Sequence, residues 1–252
     1  MRVLLANDDG VHAIGLRKLA EALSGEVWVV APSKEHSAQS HAFTLHKPVR
    51  IVEEAPRWYS VSGTPADSVY VGLYRLLPER PELVISGINR GSNLGWDVHY
   101  SGTVAAAREA AFSGVPAIAV SLHVRSAGPG SPHWETAQAV VRRLVEGGVT
   151  GRIPAGSFLN VNVPDVPLEG LRGVRWARLG IRRYSASVEE RVDPRGRPYY
   201  WLGGRHSSFD EDPETDGRLC EQGWATVTPM HADPTDRELL DHVGRNWGLD
   251  AP

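Results

Sequence analysis

Apolar residues along this chain come in short unbroken blocks, separated by segments in which they recur every three or four positions. That alternation predicts buried strands joined by amphipathic helices. Arg2 to Ala6 is a Val/Leu run, Leu16, Leu19, Ala20 and Leu23 mark one helical face, and Glu26 to Ala31 is apolar and β-branched enough for a buried parallel strand. Ser24-Gly25 supplies the helix stop between them, so the chain opens as a βαβ unit. Phe43 to Val52 and Trp58 to Val61 predict short strands after the polar loop Pro32 to Ser40. In Thr64-Pro65-Ala66-Asp67, Thr64 can cap a helix, Pro65 takes the first helical position and Asp67 closes a capping box.

Leu83 to Gly87 predicts another strand, followed by Asn89-Arg90-Gly91-Ser92-Asn93-Leu94-Gly95, which is too rich in Gly and Asn to read as regular structure. Ser101-Gly102-Thr103 then opens an alanine-rich helix that ends near Ser113-Gly114. A strand at Ala117 to Leu122, a helix from Trp134 to about Glu146 and a strand from Phe158 to Val163 continue the alternation. The layout changes after Pro164. Gly170 to Gly204 shows no helical period and has aromatic, Arg-rich extended stretches around Asp193-Pro194-Arg195-Gly196, which predicts a long hairpin; a strand at Trp224 to Thr228 and a helix at Asp236 to Asn246 finish the chain. The fold class expected is α/β: a Rossmann-like, mostly parallel sheet with helices on both faces, then a hairpin-rich C-terminal region. Residues 1–165 read as an α/β catalytic domain and residues 166–252 as a hairpin and helix region for oligomerisation.

At 252 residues the chain can bury a large core without covalent staples, and its single cysteine, Cys220, leaves no intrachain disulfide. No apolar run is long enough to span a bilayer or serve as a signal segment, so a cytoplasmic protein with no membrane partner is expected. The formal net charge of -3, with acids and bases interspersed, argues against a nucleic-acid duplex as partner. Any phosphate must then be met locally, by a metal or by backbone amides.

Ligands of open α/β sheets gather at the carboxyl ends of the strands, and three polar clusters fall there: Asp8-Asp9, Glu35-His36-Ser37 and Asn89 to Asn93. Two adjacent carboxylates repel, so a site presenting both protonates one or recruits a cation. Helix capping would account for one aspartate and leave the other unexplained. Carboxylate, hydroxyl and amide oxygens suit one divalent ion such as Mg²⁺, Mn²⁺ or Ca²⁺, not a zinc site of Cys and His. None of the ten histidines has metalloprotease spacing; His12, His36 and His41 near the clusters read as loop histidines. Ser101-Gly102-Thr103 offers free amides and the positive end of a helix dipole to a phosphate. Ser37 lacks the Gly-x-Ser-x-Gly elbow of a serine nucleophile and reads as a metal or phosphate contact. Haloacid-dehalogenase-type phosphatases also carry an Asp-x-Asp-Gly motif after their first strand. Here Asn7 fills the nucleophile's position, and its amide cannot form an aspartyl phosphate.

Five segments taken together resemble the stationary-phase survival protein SurE family of 5'/3'-nucleotidases. They are Asn7-Asp8-Asp9-Gly10, Ala31-Pro32 with His36-Ser37-Ala38, Gly63-Thr64-Pro65-Ala66-Asp67, Ser86 through Asn93, and Ser101-Gly102-Thr103-Val104. The resemblance implies a metal held by Asp8, Asp9, Ser37 and Asn89, with Asp8 and Asp9 catalytic. It places the substrate phosphate near Asn89, Asn93, Ser101, Gly102 and Thr103. It also implies a metal-dependent phosphomonoesterase acting on nucleoside 5'- and 3'-monophosphates and on short polyphosphate, assembled as a homodimer or homotetramer through exchanged C-terminal segments. Two positions depart from the pattern: His36 stands where Arg is common, and Ser68 where Cys is common. A non-catalytic nucleotide-binding module and a sugar-nucleotide transferase are the competing readings of the same residues.

Overall fold

The computed structural model describes residues 1–124, 132–185, 187–204 and 206–246. Strands β1 (Arg2–Ala6), β2 (Glu26–Pro32), β3 (Ile51–Ala55), β4 (Trp58–Val61), β5 (Leu83–Arg90), β6 (Ala117–His123) and β7 (Ser157–Pro164) alternate with helices. These helices are α1 (Ile14–Glu21), α2 (Pro65–Val71), α3 (Gly102–Phe112) and α4 (Trp134–Glu146). Beyond them lie β8 (Gly173–Trp176), β9 (Arg182–Tyr184), β10 (Ser187–Val192), β11 (Pro198–Gly203), β12 (His206–Phe209), α5 (Asp216–Glu221), β13 (Trp224–His231) and α6 (Arg237–Asn246).

One nine-stranded sheet runs in the order β3-β4-β2-β1-β5-β6-β7-β13-β8. Its middle is parallel from β4 to β7; β3 pairs antiparallel with β4 at one edge, and β13 pairs antiparallel with β7 near the other. From β1 the chain steps outward through β2 and β4, then crosses back to lay β5 on the other side of β1. The two winding directions part at β1, and a crevice opens at its carboxyl end. Asp8 and Asp9 follow directly.

Period-two alternation in β1 feeds two cores. Val3 and Leu5 pack on one face with Leu16 and Leu19 of α1 and Val140 of α4. Leu4 and Ala6 pack on the other with Val69 of α2 and with Val104 and Ala107 of α3. α2 starts on the expected capping box: Thr64 Oγ1 accepts from Asp67 N at 3.1 Å, and Asp67 Oδ2 accepts from Thr64 N at 2.8 Å.

The mixed α/β sheet agrees with the sequence, and three local expectations are corrected. The strand expected from Phe43 begins only at Ile51, and Phe43 makes an edge-on aromatic contact with Tyr70 of α2. Asn89 and Arg90 are strand and not loop: β5 bulges after Ser86 and resumes with Asn89 opposite Ser121 and Arg90 opposite Leu122. Gly87 makes this possible, since a Cβ there would lie 2.3 Å from the Val120 carbonyl oxygen at a φ of +138°. Finally, the hairpin expected over Gly170–Gly204 is displaced. β8 joins the main sheet, while β9 with β12 and β10 with β11 form successive stretches of one arm, from Arg182 to Phe209. Its turn lies where expected, with Asp193 Oδ1 accepting from Arg195 N at 2.8 Å and Arg197 N at 2.9 Å. Segments beyond residue 165 thus both extend the main sheet, through β8 and β13, and build the arm. Residues 247–252 of the expected C-terminal region lie outside the described residues.

Candidate active site

The crevice at the end of β1 is a cleft of about 860 Å³ lined by Asp8, Asp9, Glu35, Ser37, Asn89 and Asn93, with further residues from the arm. The turn that delivers the aspartates is held by Asn7, whose amide nitrogen donates to Gly10 O at 2.9 Å and whose oxygen accepts from Gly10 N at 3.2 Å. Asn7 is buried, and both ends of its amide are held in that turn.

Asp8 is buried against the start of α3, where Thr103 donates its hydroxyl to Asp8 Oδ1 at 2.5 Å. A Cβ on Gly102 would lie 2.7 Å from the Asp8 Cβ, so only glycine lets the helix approach this closely. Burial pushes the Asp8 carboxyl above the usual range, and the Thr103 hydrogen bond offsets only part of that rise. Asp9 is pushed up to about 6, first by burial and then by the negative charge of Asp8, with the Arg90 backbone amide opposing. The pair therefore sits where neither carboxylate is comfortable as an anion.

Asn89 donates its amide nitrogen to Gly91 O at 2.8 Å. Ser37 donates to Glu35 Oε1 at 2.7 Å, which places a third carboxylate at the rim. Asn93 lines the cleft but is tied down, its amide nitrogen donating to Ser121 Oγ at 2.7 Å and its backbone carbonyl accepting from Asn160 and Asn162 at 2.8 and 3.0 Å. Ser101 also lines the cleft, and its hydroxyl oxygen caps α3 by accepting from Val104 N at 3.0 Å. Gly102 and Thr103 are completely buried on Asp8 and do not line the cleft.

The histidines take the roles of loop residues. His12 is exposed, His36 Nδ1 faces Gln39 Oε1 at 2.7 Å, and His41 Nε2 pairs with Glu109 Oε2 at 2.9 Å while stacking on Phe112. Among the described residues no three His, Cys, Asp or Glu side chains are grouped for metal binding, so any cation here must draw on hydroxyl and amide oxygens besides Asp8 and Asp9.

The family model described as survival protein SurE matches residues 3–186. The chain belongs to the survival protein SurE family. A relative named 5'-nucleotidase SurE from Anaeromyxobacter dehalogenans is 52% identical over 251 residues, covering 98% of this chain and 96% of that protein. The 5'-nucleotidase SurE of Geobacter sulfurreducens is 46% identical over 253 residues, covering 100% of this chain and 95% of that protein. Among solved structures, the SurE protein of Aquifex aeolicus superposes with a TM-score of 0.85 at 36% identity, covering 97% of this chain and 99% of that one.

Within this SurE chain, two cleft features escaped the sequence reading. Arg90 lines the cleft and presents a cation within electrostatic reach of Asp9. Its only sequence signal is that it sits beside Asn89 in the same segment. Tyr100, Tyr184, Leu202, Gly203 and Gly204 add an uncharged stretch to the lining of the same cleft, and the last four come from the arm. Nothing in a single sequence brings residue 202 to residue 8.

Proposed function

We propose that this chain is a 5'-nucleotidase that hydrolyses nucleoside 5'-monophosphates to nucleoside and phosphate, with 3'-monophosphates and short polyphosphate as further substrates. The observation that carries the reading is the Asp8-Asp9 pair, held against burial and mutual repulsion at the floor of an open cleft. Full-length similarity to proteins named 5'-nucleotidase SurE supports the substrate class. Asp8, Asp9, Ser37 and Asn89 would hold one divalent cation; their all-oxygen chemistry fits Mg²⁺, Mn²⁺ or Ca²⁺, and two carboxylates raised first by burial, and in Asp9 also by the charge of Asp8, would be relieved by positive charge. When bound, such an ion polarises a phosphoryl oxygen and acidifies a water molecule. Arg90, Asn93 and Ser101, which line the cleft, are the candidates to bind phosphate oxygens. The Asp9 carboxylate is the candidate to take the proton of the attacking water.

Phosphate release from AMP, measured after chelation and again with added Mn²⁺, tests the proposal. Metal-restored release is the expected result. Tight AMP binding with no release in either condition would leave a binding module instead.

Residues 1–165 carry the catalytic groups in this reading, and residues 166–252 serve assembly as well. The arm exposes Val188, Tyr200 and Trp201, and Trp176 is exposed on β8, more apolar surface than a lone chain usually presents. A homodimer or homotetramer built through this region is expected. Sedimentation of an active monomer at micromolar concentration would contradict it.

A further inference from the structure

The arm also belongs to the cleft. Tyr184 near its base and Leu202, Gly203 and Gly204 on its returning strand line the same space as Asp8 and Asp9, with Tyr100 beside them. The floor consists of carboxylates, amides, a hydroxyl and the Arg90 guanidinium, all suited to a phosphate. The arm's part of the lining offers an aromatic ring, an aliphatic side chain and bare glycine backbone, with the Tyr100 ring beside it. Gly204 passes so close to Ser185 that a Cβ would lie 1.9 Å from the Ser185 carbonyl oxygen, whereas the corresponding position on Gly203 meets open space. Backbone polar groups between flat apolar surfaces suit a base and ribose better than a second anion.

Three fastenings hold this wall to the loop after β5. Arg182 donates to Asp97 Oδ2 at 2.7 Å and to Ser92 Oγ at 3.3 Å. The Tyr184 hydroxyl donates to the same Asp97 oxygen. Arg182 also lies over the Tyr184 and Phe209 rings, 5.2 and 5.8 Å from their centroids. Deeper in, Asp216 accepts from Gly95 N at 2.8 Å and Gly180 N at 3.0 Å, joining the cleft loop to the chain that enters the arm. Leu94, Phe209 and Cys220 close a small core at the same joint. Ser92 and Asp97 share their loop with Asn93, so the segment that shapes the polar floor also sets where the arm lies.

We propose that the arm forms the nucleoside-side wall of the cleft, taking the base and ribose of a nucleoside monophosphate, and that Asp97 is the positioning residue that holds this wall through Arg182 and Tyr184. The inference rests on the nucleotidase reading of the floor. It separates substrates by what they carry beyond phosphate: AMP reaches the wall, and phenyl phosphate lacks the ribose and base that would fill it.

The test compares kcat/KM for AMP with kcat/KM for phenyl phosphate in wild type, Asp97→Ala, Tyr184→Phe and Leu202→Ala, with melting temperatures measured alongside. Asp97→Ala is expected to lower the AMP-to-phenyl-phosphate ratio by about tenfold, chiefly through KM for AMP. Tyr184→Phe and Leu202→Ala should move the ratio in the same direction by less. Equal losses on both substrates, or an unmoved ratio, would overturn the proposal. If Asp97→Ala fails to fold, the other two variants carry the same comparison, since each leaves the Asp97–Arg182 pair in place. If wild type releases phosphate from neither ester, the nucleotidase reading fails separately. Calorimetric titration with adenosine then decides the wall: weaker binding to the folded variants supports it, and equal or absent binding overturns it.

Discussion

Asp8 and Asp216 are both buried carboxylates, and burial raises both above the usual range, yet the molecule uses them in opposite ways. Asp216 accepts from three backbone amides, those of Gly95, Gly180 and Gly217, at 2.8 to 3.0 Å. Its oxygens are spent on joining the cleft loop, the arm and α5. Asp8 receives the Thr103 hydroxyl and the backbone amides of Thr103 and of its own residue, all within one turn of chain and helix, and has a second carboxylate as its sequence neighbour. A buried carboxylate whose amide partners come from separate segments serves as a fastener, while two adjacent carboxylates at a cleft, where one raises the other, form a poised binding site. The contrast lies in the partners, since the burial is nearly the same.

The largest expected effect breaks the pair at the floor. Asp8→Asn and Asp9→Asn should each cut AMP hydrolysis by on the order of 10³-fold, because the lost charge acts where the transferring phosphoryl group must be stabilised. The same substitutions remove like-charge repulsion, so the metal-free melting temperature should hold or rise. Retained hydrolysis in both variants would remove the floor from the mechanism.

Asp216→Ala should behave in the reverse sense. Orphaning three amides costs about 1–3 kcal/mol for each that stays buried and unpaired, so a loss of roughly 3 kcal/mol or more in urea unfolding is expected. The surviving folded fraction should keep its kcat. A variant as stable as wild type would show that water or backbone shifts replace the clamp, and the comparison with Asp8 would lose its meaning.

Acidity sharpens the comparison further. The Asp9 carboxyl is held at about 6 in the folded chain, above the 3.8 ordinary for this group, so between those values the folded state binds more protons than the unfolded one. Stability of the metal-free protein from this group is therefore fully present below the lower value and lost as pH rises through about 6. Subtracting the Asp9→Asn melting curve from wild type should isolate that loss, and saturating Mn²⁺ should suppress it. A wild-type advantage that grows with pH over this window would reverse the assigned sign.

Much of this was legible beforehand for local reasons. The Val/Leu run before Asp8, the Thr64 capping box and the parallel strand pattern are written in adjacent residues, and they suffice to place Asp8-Asp9 at a strand end. Asn89 reads as loop in the sequence and lies in β5, because a bulge after Ser86 depends on how Gly87 meets Val120 across the sheet. α5 was missed since six residues do not establish a helical period. Asp97, Asp216 and the Leu202–Gly204 wall carry no local signal at all. Their roles arise from contacts spanning 85 residues for Arg182 with Asp97 and 121 for Gly95 with Asp216, distances along the chain that only the folded topology shortens.

The smallest expected effect decides what Thr103 does. Its resemblance-based role is a phosphate contact, but its side chain is fully buried and its hydroxyl is given to Asp8. Thr103→Val keeps the shape and deletes the hydroxyl, at a stability cost of about 1 kcal/mol for one lost hydrogen bond. If Thr103 orients Asp8, the Mn²⁺ dissociation constant measured by titration calorimetry should rise by about tenfold, the size usual for a partner behind a metal ligand. KM for AMP at saturating Mn²⁺ should then move little, and Thr103→Ser should restore the metal affinity. If Thr103 instead touched the phosphate, Mn²⁺ binding would stay as in wild type while KM for AMP and inhibition by inorganic phosphate both weakened. The two accounts assign the same substitution to different ligands, so measuring both affinities on one variant separates a hydroxyl that aims a carboxylate from one that receives the substrate.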